Sequence, residues 1–261
     1  MHTTHNFKII KIPKSRNTYR TIYIPNIELT NELRKLEPIL KKILYTNIGH
    51  CKDHAFILNR NCATNAATHI GKTYILSLDI ESFFDSITPA LVKKYINKDI
   101  INVTFINNAP RQGLLTSPII SNIAMIDIDI LIIKSLAVLG DISYSRYADD
   151  LTFGFNDVCM HKPIKIKIID ILRSHGFSIK KKKTKFYNTK HDRAIITGIA
   201  IDQYFLYPSR KTIKKIRAAK HQKNINSHNG LIEWSKCKSP NPNRAPYKMN
   251  FILDNTSTLM K

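Results

Sequence analysis

The spacing of apolar residues along the chain shifts between two-residue alternation and helical periodicity, so it predicts a mixture of strands and helices. Residues 8–25 alternate around a basic turn, which is typical of a strand hairpin. Residues 27–47 carry apolar positions at helical spacing, and Pro38 is expected to kink or divide this helix. Further helices are predicted over 55–69, from 82, from 89, over 119–136, over 164–175 and after 208, and further strands over 74–80, 143–155 and 185–207. This mixed order predicts an α+β fold rather than a doubly wound sheet.

Two adjacent acids mark the bend of the hairpin predicted over 143–155. The tetrapeptide Tyr147-Ala148-Asp149-Asp150 separates two runs of strand-forming residues. Surface turns favour Asp in any case, so the pair by itself is a weak signal. Carboxylates this close repel each other, and a divalent cation removes that repulsion; oxygen ligands suit Mg²⁺.

A third acid, Asp79, ends the apolar strand predicted over 74–80. A carboxylate at the end of a buried strand is costly unless it meets a cation or hydrogen-bond donors. Asp79 could instead serve a turn or cap a helix, because Glu81-Ser82 follow it. Together with Asp149 and Asp150, Asp79 predicts a three-carboxylate metal site of the kind that holds two ions in phosphoryl transfer.

These acids belong to a longer series of motifs that resembles the palm of reverse transcriptases. In the order typical of that family, the motifs are Leu78-Asp79-Ile80-Glu81-Ser82-Phe83-Phe84, Gln112-Gly113 with Thr116-Ser117-Pro118 and Ser121-Asn122, Tyr147-Ala148-Asp149-Asp150, and Gly176-Phe177-Ser178-Ile179 with Lys183-Thr184. The resemblance covers roughly residues 8–235. It implies a right-hand polymerase fold with fingers (1–72), a palm (73–207) into which part of the fingers is inserted, and a small helical thumb with a C-terminal RNA-binding region (208–261).

Two elements narrow the resemblance to retron reverse transcriptases. Asn65-Ala66-Ala67-Thr68-His69 fits their Asn-Ala-x-x-His element, and Ile196-Thr197-Gly198 is similar to their Val-Thr-Gly element. Lys14-Ser15-Arg16 through Pro25 is similar to their fingers segment. The chain departs from the pattern at His54-Ala55-Phe56, at Arg111-Gln112-Gly113-Leu114-Leu115 and at Lys180, but no departure removes one of the three acids.

The resemblance also implies a role for each matched residue. Asp79, Asp149 and Asp150 are the expected catalytic acids, and they would hold two Mg²⁺ ions together with the carbonyl of Ile80. Residues expected to bind the incoming deoxynucleoside triphosphate (dNTP) are Arg20, Phe84, Gln112, Gly113 and Lys183, with Lys14 or Arg16 assisting Arg20. Residues expected to bind RNA are Asn65, His69, Arg210, Lys214 and Arg217. Core packing for Phe84, proton transfer by Lys183 and a merely solvated basic helix after 208 remain open alternatives.

The charge of the chain favours a polyanionic partner. The sequence has 41 Lys and Arg against 19 Asp and Glu, a formal net charge of +22. Such a chain repels itself unless it meets polyanions, and its affinity for nucleic acid should fall steeply with salt. The charge is spread out rather than confined to one amphipathic helix, which disfavours binding to a membrane surface.

We expect a cytoplasmic location and no membrane association. Residues 1–5 lack the apolar run of a signal peptide. The most apolar stretch, 119–133, is interrupted by Asp127 and Asp129, so it does not predict a membrane span.

These observations favour a retron reverse transcriptase that copies part of a cognate structured non-coding RNA into branched, RNA-linked single-stranded DNA. The resemblance further implies a role in antiphage defence with an effector protein. Two alternatives stay open at this point. The first is another bacterial reverse transcriptase, of the group II intron or abortive-infection type. The second is a non-catalytic RNA-binding module on a decayed polymerase fold.

Overall fold

The computed structural model describes residues 6–15 and 18–238. Three sequence features discussed above lie outside these residues: the N-terminal pentapeptide, Arg16 and the end of the chain from 239 to 261. The strands are β1 Phe7–Ser15, β2 Thr18–Pro25, β3 Tyr74–Asp79, β4 Ser143–Tyr147, β5 Asp150–Phe155, β6 Lys185–Asn188, β7 Ala194–Ile196, β8 Ile199–Ile201 and β9 Leu206–Pro208. The helices are α1 Ile27–Thr46, α2 Cys62–Ala67, α3 Phe83–Ser86, α4 Pro89–Val92, α5 Lys98–Thr104, α6 Ser117–Ala124, α7 Ile126–Ala137, α8 His161–Ser174, α9 Arg210–His221 and α10 Ile225–Lys238.

The predicted N-terminal hairpin and helix are both confirmed. Strands β1 and β2 pair antiparallel. Helix α1 begins where the side chain of Asn26 accepts a hydrogen bond from the N–H of Leu29 at 2.9 Å. Pro38 lies inside α1, and the helix is not divided there. Its leucines at helical spacing are buried: Leu29, Leu33, Leu40 and Leu44.

A four-stranded antiparallel sheet, in the order β4-β5-β3-β6, forms the centre of the molecule. Its apolar side chains join one large core with helices α6, α7 and α8. Tyr144 of β4 stacks on Phe153 of β5 with 5.1 Å between ring centroids. Strand β3 lies between β5 and β6. Because β3 pairs antiparallel with β5, the C-terminal end of β3 lies beside the β4–β5 turn.

The helix predicted over 55–69 is wrong in its first half, since only residues Cys62–Ala67 are helical. Phe56 and Asn59 have φ angles of +62° and +60°, which a right-handed helix cannot contain. The helix α2 begins at Asn61, whose side chain accepts from the N–H groups of Ala63 and Thr64.

The helix predicted over 119–136 is divided into α6 and α7 at Met125. The N–H of Met125 bonds the carbonyl of Asn122, three residues back, so the chain tightens for one residue before it continues as α7. The predicted start signals Thr88 and Thr116 precede helices, but neither side chain makes a capping hydrogen bond.

The C-terminal part contains a second, three-stranded sheet and two helices. Strands β7, β8 and β9 pair antiparallel, and their isoleucines pack against Ala66 of α2 and Ile75 of β3. Helix α9 begins at Ser209, whose hydroxyl accepts from the N–H of Thr212. Within the described residues, no helix has both the length and the apolar character that crossing a membrane requires.

Candidate active site

The acidic pair lies at a tight turn between β4 and β5. Tyr147 is the residue opposite Asp150, so only Ala148 and Asp149 lie between them. Ala148 adopts φ +54°, the left-handed conformation that such short turns require. The N–H of Ile80 donates to the carbonyl of Asp149 at 2.9 Å, which ties the turn to the end of β3. The predicted hairpin is therefore confirmed.

The same strand pairing brings the third acid beside the turn. Asp79 is the residue opposite Asp150 in the antiparallel pair of β3 and β5. Asp79 is buried, with only 5% of its surface exposed. The three carboxyl groups thus come from two distant segments and share one end of the central sheet.

The electrostatics of the turn indicate negative charge that the protein does not fully compensate. Burial, followed by the charges of Asp149 and Asp79, raises the pKa of Asp150 to about 7. Burial and the charge of Asp79 raise the pKa of Asp149, although Lys183 and Lys14 act in the opposite direction. A cation at this position would favour the ionised form of both side chains.

Lys183 pairs directly with one of these acids. Its Nζ forms an ion pair and hydrogen bond with Asp79 Oδ2. The backbone positions it, because the N–H of Lys180 donates to the carbonyl of Asp79 at 2.8 Å and Lys183 lies in the turn that follows. Lys183 therefore neutralises one of the three acids directly.

The chemistry of the three acids fits Mg²⁺, which prefers oxygen ligands and is favoured by crowded negative charge. Across residues 6–15 and 18–238, however, no three Asp, Glu, His or Cys side chains are already grouped so that they could hold a metal. Asp79 is paired with Lys183 instead. A bound ion would therefore compete with Lys183 for the carboxylate of Asp79. The carbonyl of Ile80 as a further ligand stays a prediction.

The fingers hairpin contributes one charge to this site. Lys14, near the end of β1, is close enough to lower the pKa of Asp149. Arg20 lies on β2 opposite Ile12 and is exposed, so its contact with a nucleotide stays a prediction. Arg16, the other expected partner of Arg20, lies between the two described parts of the chain.

Phe84 is only partly buried, whereas its neighbour Phe83 is 4% exposed and belongs to the core. Their rings lie 5.6 Å apart, and Phe83 also contacts Phe177 at 6.0 Å. Core packing thus falls mainly to Phe83. The expected role of Phe84 beside a nucleotide stays a prediction.

The loop that contains Gln112 and Gly113 packs against the fingers. The N–H of Tyr23 in β2 donates to the carbonyl of Gln112 at 2.8 Å. Gly113 has φ +108°, and a β carbon there would lie 2.2 Å from the carbonyl oxygen of Tyr23. The missing side chain of Gly113 thus admits the backbone of β2, and the expected contact of Gln112 and Gly113 with dNTP stays a prediction.

Arg111, which departs from the family pattern, holds the same loop. Its guanidinium pairs with Asp85 at 2.6 Å and donates to the carbonyls of Ile106 and Asn107 at 2.8 and 2.9 Å. It also lies over the ring of Tyr23, 5.5 Å from the centroid. Arg111 therefore connects the β1–β2 hairpin with α3.

The structure places Asn65 and His69, which were expected to bind RNA, inside the protein, and their contact with RNA stays a prediction. Both side chains are completely buried. Ser145 Oγ donates to Asn65 Oδ1 at 2.6 Å, and the ring of His69 lies within 2.9 Å of the hydroxyls of Ser143 and Ser145. Burial lowers the pKa of His69 to about 3, so the ring is neutral.

The same buried chain of hydrogen bonds connects the two retron-like elements. Asn65 Nδ2 donates to Thr197 Oγ1 at 3.4 Å, and Thr197 has φ +47° at the β7–β8 turn. Gly154 leaves room for this arrangement, since a β carbon there would lie 2.6 Å from Ser143 Oγ and 3.0 Å from His69 Nδ1. Asn65 and His69 thus join β4 to the C-terminal sheet.

The predicted basic helix is α9. Arg210, Lys214 and Arg217 are exposed and lie at intervals of four and three residues, so they share one face. The opposite face is buried through Thr212 and Ala219. Contact of the exposed face, which carries Arg210, Lys214 and Arg217, with RNA stays a prediction.

Sequence reasoning missed a buried ionic group directly behind the acidic turn. Arg146 of β4 is fully buried between Asp53 and Asp129, which are fully buried as well. Two signals were present in the sequence. Arg146 is a cation within a run of strand-forming residues, and Asp129 interrupts an otherwise apolar segment.

Comparison with known proteins agrees with this geometry. The family model described as reverse transcriptase (RNA-dependent DNA polymerase) matches residues 12–226. The retron Ec83 reverse transcriptase of Escherichia coli is 32% identical over 222 residues, which cover 76% of this chain and 69% of that protein. The retron Ec86 reverse transcriptase of Escherichia coli is 30% identical (77% and 64% covered), and the retron Mx65 reverse transcriptase of Myxococcus xanthus is 25% identical (88% and 60% covered). The chain thus spans less than two thirds of the length of the latter two relatives.

Solved structures support the fold. The foamy viral protease-reverse transcriptase in complex with double-stranded DNA superposes with a TM-score of 0.54 at 20% identity, covering 88% of this chain and 36% of that one. Telomerase from Candida albicans in complex with a fragment of telomeric RNA gives a TM-score of 0.59 at 15% identity, covering 84% and 50%. The predicted α+β right-hand polymerase fold is therefore confirmed. The chain belongs to the reverse transcriptase family, and within it to the retron type.

Proposed function

We propose that this chain is an RNA-directed DNA polymerase that makes retron DNA. In this proposal it binds a cognate structured non-coding RNA and primes from an internal 2′-hydroxyl of that RNA. It then copies an adjoining region into single-stranded DNA that stays joined to the RNA. The single observation that carries the proposal is the meeting of Asp79, Asp149 and Asp150 at one end of the central sheet.

Those three acids would hold two Mg²⁺ ions at the growing end of the DNA. When bound, the ions would lower the pKa of the primer hydroxyl and neutralise the triphosphate and the leaving pyrophosphate. Lys183 pairs with Asp79, and an ion bound at that carboxylate would weaken the pair and leave the ammonium available for a phosphate group. Arg20 and Lys14 would hold the incoming triphosphate from the fingers, and Phe84 would contact the sugar.

The remaining basic surface would bind RNA. Arg210, Lys214 and Arg217 form an exposed stripe on α9 that can follow a phosphate backbone.

We assign residues 1–72 to the fingers, 73–207 to the palm and 208–261 to the thumb. By likeness to the retron family, we further propose a cytoplasmic role in antiphage defence with an effector protein.

The test is to express the chain together with its flanking genomic DNA and to extract nucleic acid. A DNA species that changes mobility after RNase treatment is expected with the unaltered chain and not with Asp149→Asn or Asp150→Asn. Asp170→Asn, the same change on the exposed face of α8, is the control and should leave the product intact.

Three other outcomes would contradict the proposal in whole or in part. DNA synthesis by purified protein on a generic primed RNA, without the RNA-linked product in cells, would favour another type of bacterial reverse transcriptase. RNA binding without any synthesis in either assay would favour a non-catalytic binding module. Use of an unrelated retron RNA as efficiently as the cognate RNA would overturn the proposed RNA specificity.

A further inference from the structure

Three fully buried charged residues lie directly behind the acidic turn: Asp53, Asp129 and Arg146. Arg146 donates to Asp53 Oδ2 at 2.8 Å, and its other nitrogens donate to the two oxygens of Asp129 at 3.2 and 3.0 Å. Charges are buried in proteins only where they are paired and hydrogen-bonded in this way. Three apolar side chains of similar volume could fill the same space without this desolvation cost, so packing alone does not explain the ionic group.

The group is attached to the turn through the backbone of Ala148. Asp53 Oδ1 accepts a hydrogen bond from the Ala148 N–H at 3.1 Å, and Arg146 donates to the Ala148 carbonyl at 3.2 Å. Both backbone polar groups of this one residue, in the two peptide units that flank its Cα, are therefore held by buried charges. Ala148 is also the residue with φ +54°, a conformation that alanine rarely adopts and that its surroundings must enforce.

Asp53 itself is held in place by several backbone contacts. Its Oδ1 accepts from the N–H of Ala55 at 2.7 Å, and the carbonyl of Asp53 accepts from Arg60 at 2.8 Å. The strand that carries Arg146 bonds the same segment, because the Arg146 N–H donates to the carbonyl of Lys52 and the His54 N–H donates to the carbonyl of Arg146. The segment 52–55 thus forms a rigid support for the turn.

We propose that Asp53 and Arg146 are positioning residues for polymerisation: by fixing Ala148 in its left-handed conformation, they hold Asp149 and Asp150 opposite Asp79. This inference rests on the proposed function. Without the two bonds, Ala148 relaxes toward an ordinary φ angle, and the carboxylate of Asp149 rotates away from Asp79. Neither residue needs to touch the substrate.

Tyr144, which contacts the same ionic group, supplies a matched control. Tyr144 donates its hydroxyl to Asp129 Oδ1 at 2.7 Å, on the side of Arg146 that does not face the turn. Tyr144→Phe therefore removes one buried hydrogen bond from the group and leaves both bonds to Ala148 in place. Asp53→Asn removes the charge that faces Ala148, and its single amide oxygen cannot take the places of both Oδ2, which accepts from Arg146, and Oδ1, which accepts from the Ala148 N–H.

The experiment compares the full-length chain with Asp53→Asn, Arg146→Lys and Tyr144→Phe on a primed RNA template. Asp53→Asn and Arg146→Lys should lower kcat at least tenfold and leave the KM for dNTP within threefold, because the acids move and the nucleotide contacts do not. Tyr144→Phe should keep kcat within threefold. Arg146→Lys keeps the charge but loses the forked geometry of the guanidinium. This variant therefore provides the test if Asp53→Asn does not fold. A kcat within threefold for a folded Asp53→Asn or Arg146→Lys chain, or an equal loss in Tyr144→Phe, would overturn the proposal.

A second measurement separates this proposal from the proposed function. Hydrogen–deuterium exchange of the Ala148 amide should be at least tenfold faster in Asp53→Asn than in the unaltered chain, and unchanged in Tyr144→Phe. An inactive unaltered chain with this exchange pattern would overturn the polymerase function and leave the support of the turn intact. Equal exchange in all three chains would overturn the support of the turn, whatever the activity.

Discussion

The carbonyl oxygen of Tyr23 lies where a side chain on residue 113 would have to begin, 2.2 Å from an ideal β carbon at Gly113. The contact joins the second fingers strand to the loop that also carries Gln112. The close packing of the β1–β2 hairpin on this loop therefore depends on the absence of a side chain at residue 113.

Gly113→Ala is expected to destabilise the chain and weaken nucleotide binding. The φ of +108° alone costs about 1–3 kcal/mol for a residue with a β carbon, and the backbone of Tyr23 can give way only by moving β2. We expect a lower free energy of unfolding and a higher KM for dNTP. Gly230→Ala in α10, where no atom lies within 4 Å, is the control. Equal stability of both variants would contradict the prediction.

Magnesium should stabilise the chain in the absence of substrate. At ten times its dissociation constant, an ion that binds only the folded state adds about 1.4 kcal/mol to the free energy of unfolding. Thermal unfolding with Mg²⁺ and with a chelator measures this effect, which Asp79→Asn and Asp150→Asn should reduce.

Asp150→Asn should also be more stable than the unaltered chain when no metal is present at pH 7.5. The folded-state pKa of Asp150, about 7, lies above the ordinary value of 3.8, so ionisation opposes folding as the pH rises through this range. A less stable Asp150→Asn chain under these conditions would show that the three acids are already compensated by protein groups.

Lys183→Gln should change the response to magnesium and to nucleotide in opposite directions. Removal of the ammonium beside Asp79 leaves more negative charge for an ion, so the Mg²⁺ concentration for half-maximal activity should fall. The loss of a phosphate partner should raise the KM for dNTP. Lys182→Gln, an exposed lysine of the same turn, is the control. Parallel changes in both variants would indicate an effect of overall charge.

Two buried histidines should make the chain sensitive to mild acid. Burial, the largest cause for both, lowers the pKa of His54 to about 4 and that of His69 to about 3, whereas the unfolded chain titrates near 6.5. The unfolded state therefore binds more protons below pH 6.5, and stability falls as the pH drops toward the folded-state values. Between pH 7.5 and pH 5 the loss is about 2 kcal/mol for each histidine. Denaturant unfolding of His69→Gln at both pH values should show a correspondingly smaller difference than the unaltered chain, and an equal difference would contradict the assignment.

The stripe on α9 should contribute to RNA affinity in a salt-dependent way. If Arg210, Lys214 and Arg217 each contact a phosphate, their joint replacement by Gln should lower the slope of log affinity against log salt by about 2–3. Replacement of Lys162, Lys167 and Arg173 of α8 removes the same charge elsewhere and serves as the control. Equal slopes in the two triple variants would identify α9 as a merely solvated helix.

Patterns within short segments predicted the elements that depend mainly on the residues of those segments. The fingers hairpin, the strand that ends in Asp79 and the turn with Asp149 and Asp150 follow from alternation and turn chemistry, and the structure confirms them. The positive φ angles of Phe56 and Asn59, which exclude the first half of the helix predicted over 55–69, are not indicated by any such pattern.

The pairing of polar groups that lie far apart in the chain could not be predicted from the sequence. Asn65 and His69 were expected to bind RNA by resemblance to the retron element, but hydroxyls from β4 satisfy them in the interior. Asp53 and Arg146 form their ion pair across 93 positions, and no spacing rule connects such residues. The acids of the site were predictable, whereas the groups that hold them were not.

The separation of Asp53 and Arg146 also has a consequence for folding during synthesis. At about 5–20 residues per second, a ribosome needs about 5–20 seconds to add the residues between them. Throughout that interval Asp53 has no buried partner and must stay in water, so the segment 52–55 cannot settle into its final place. The acidic turn therefore forms late, after most of the fingers and the first palm strand have left the ribosome.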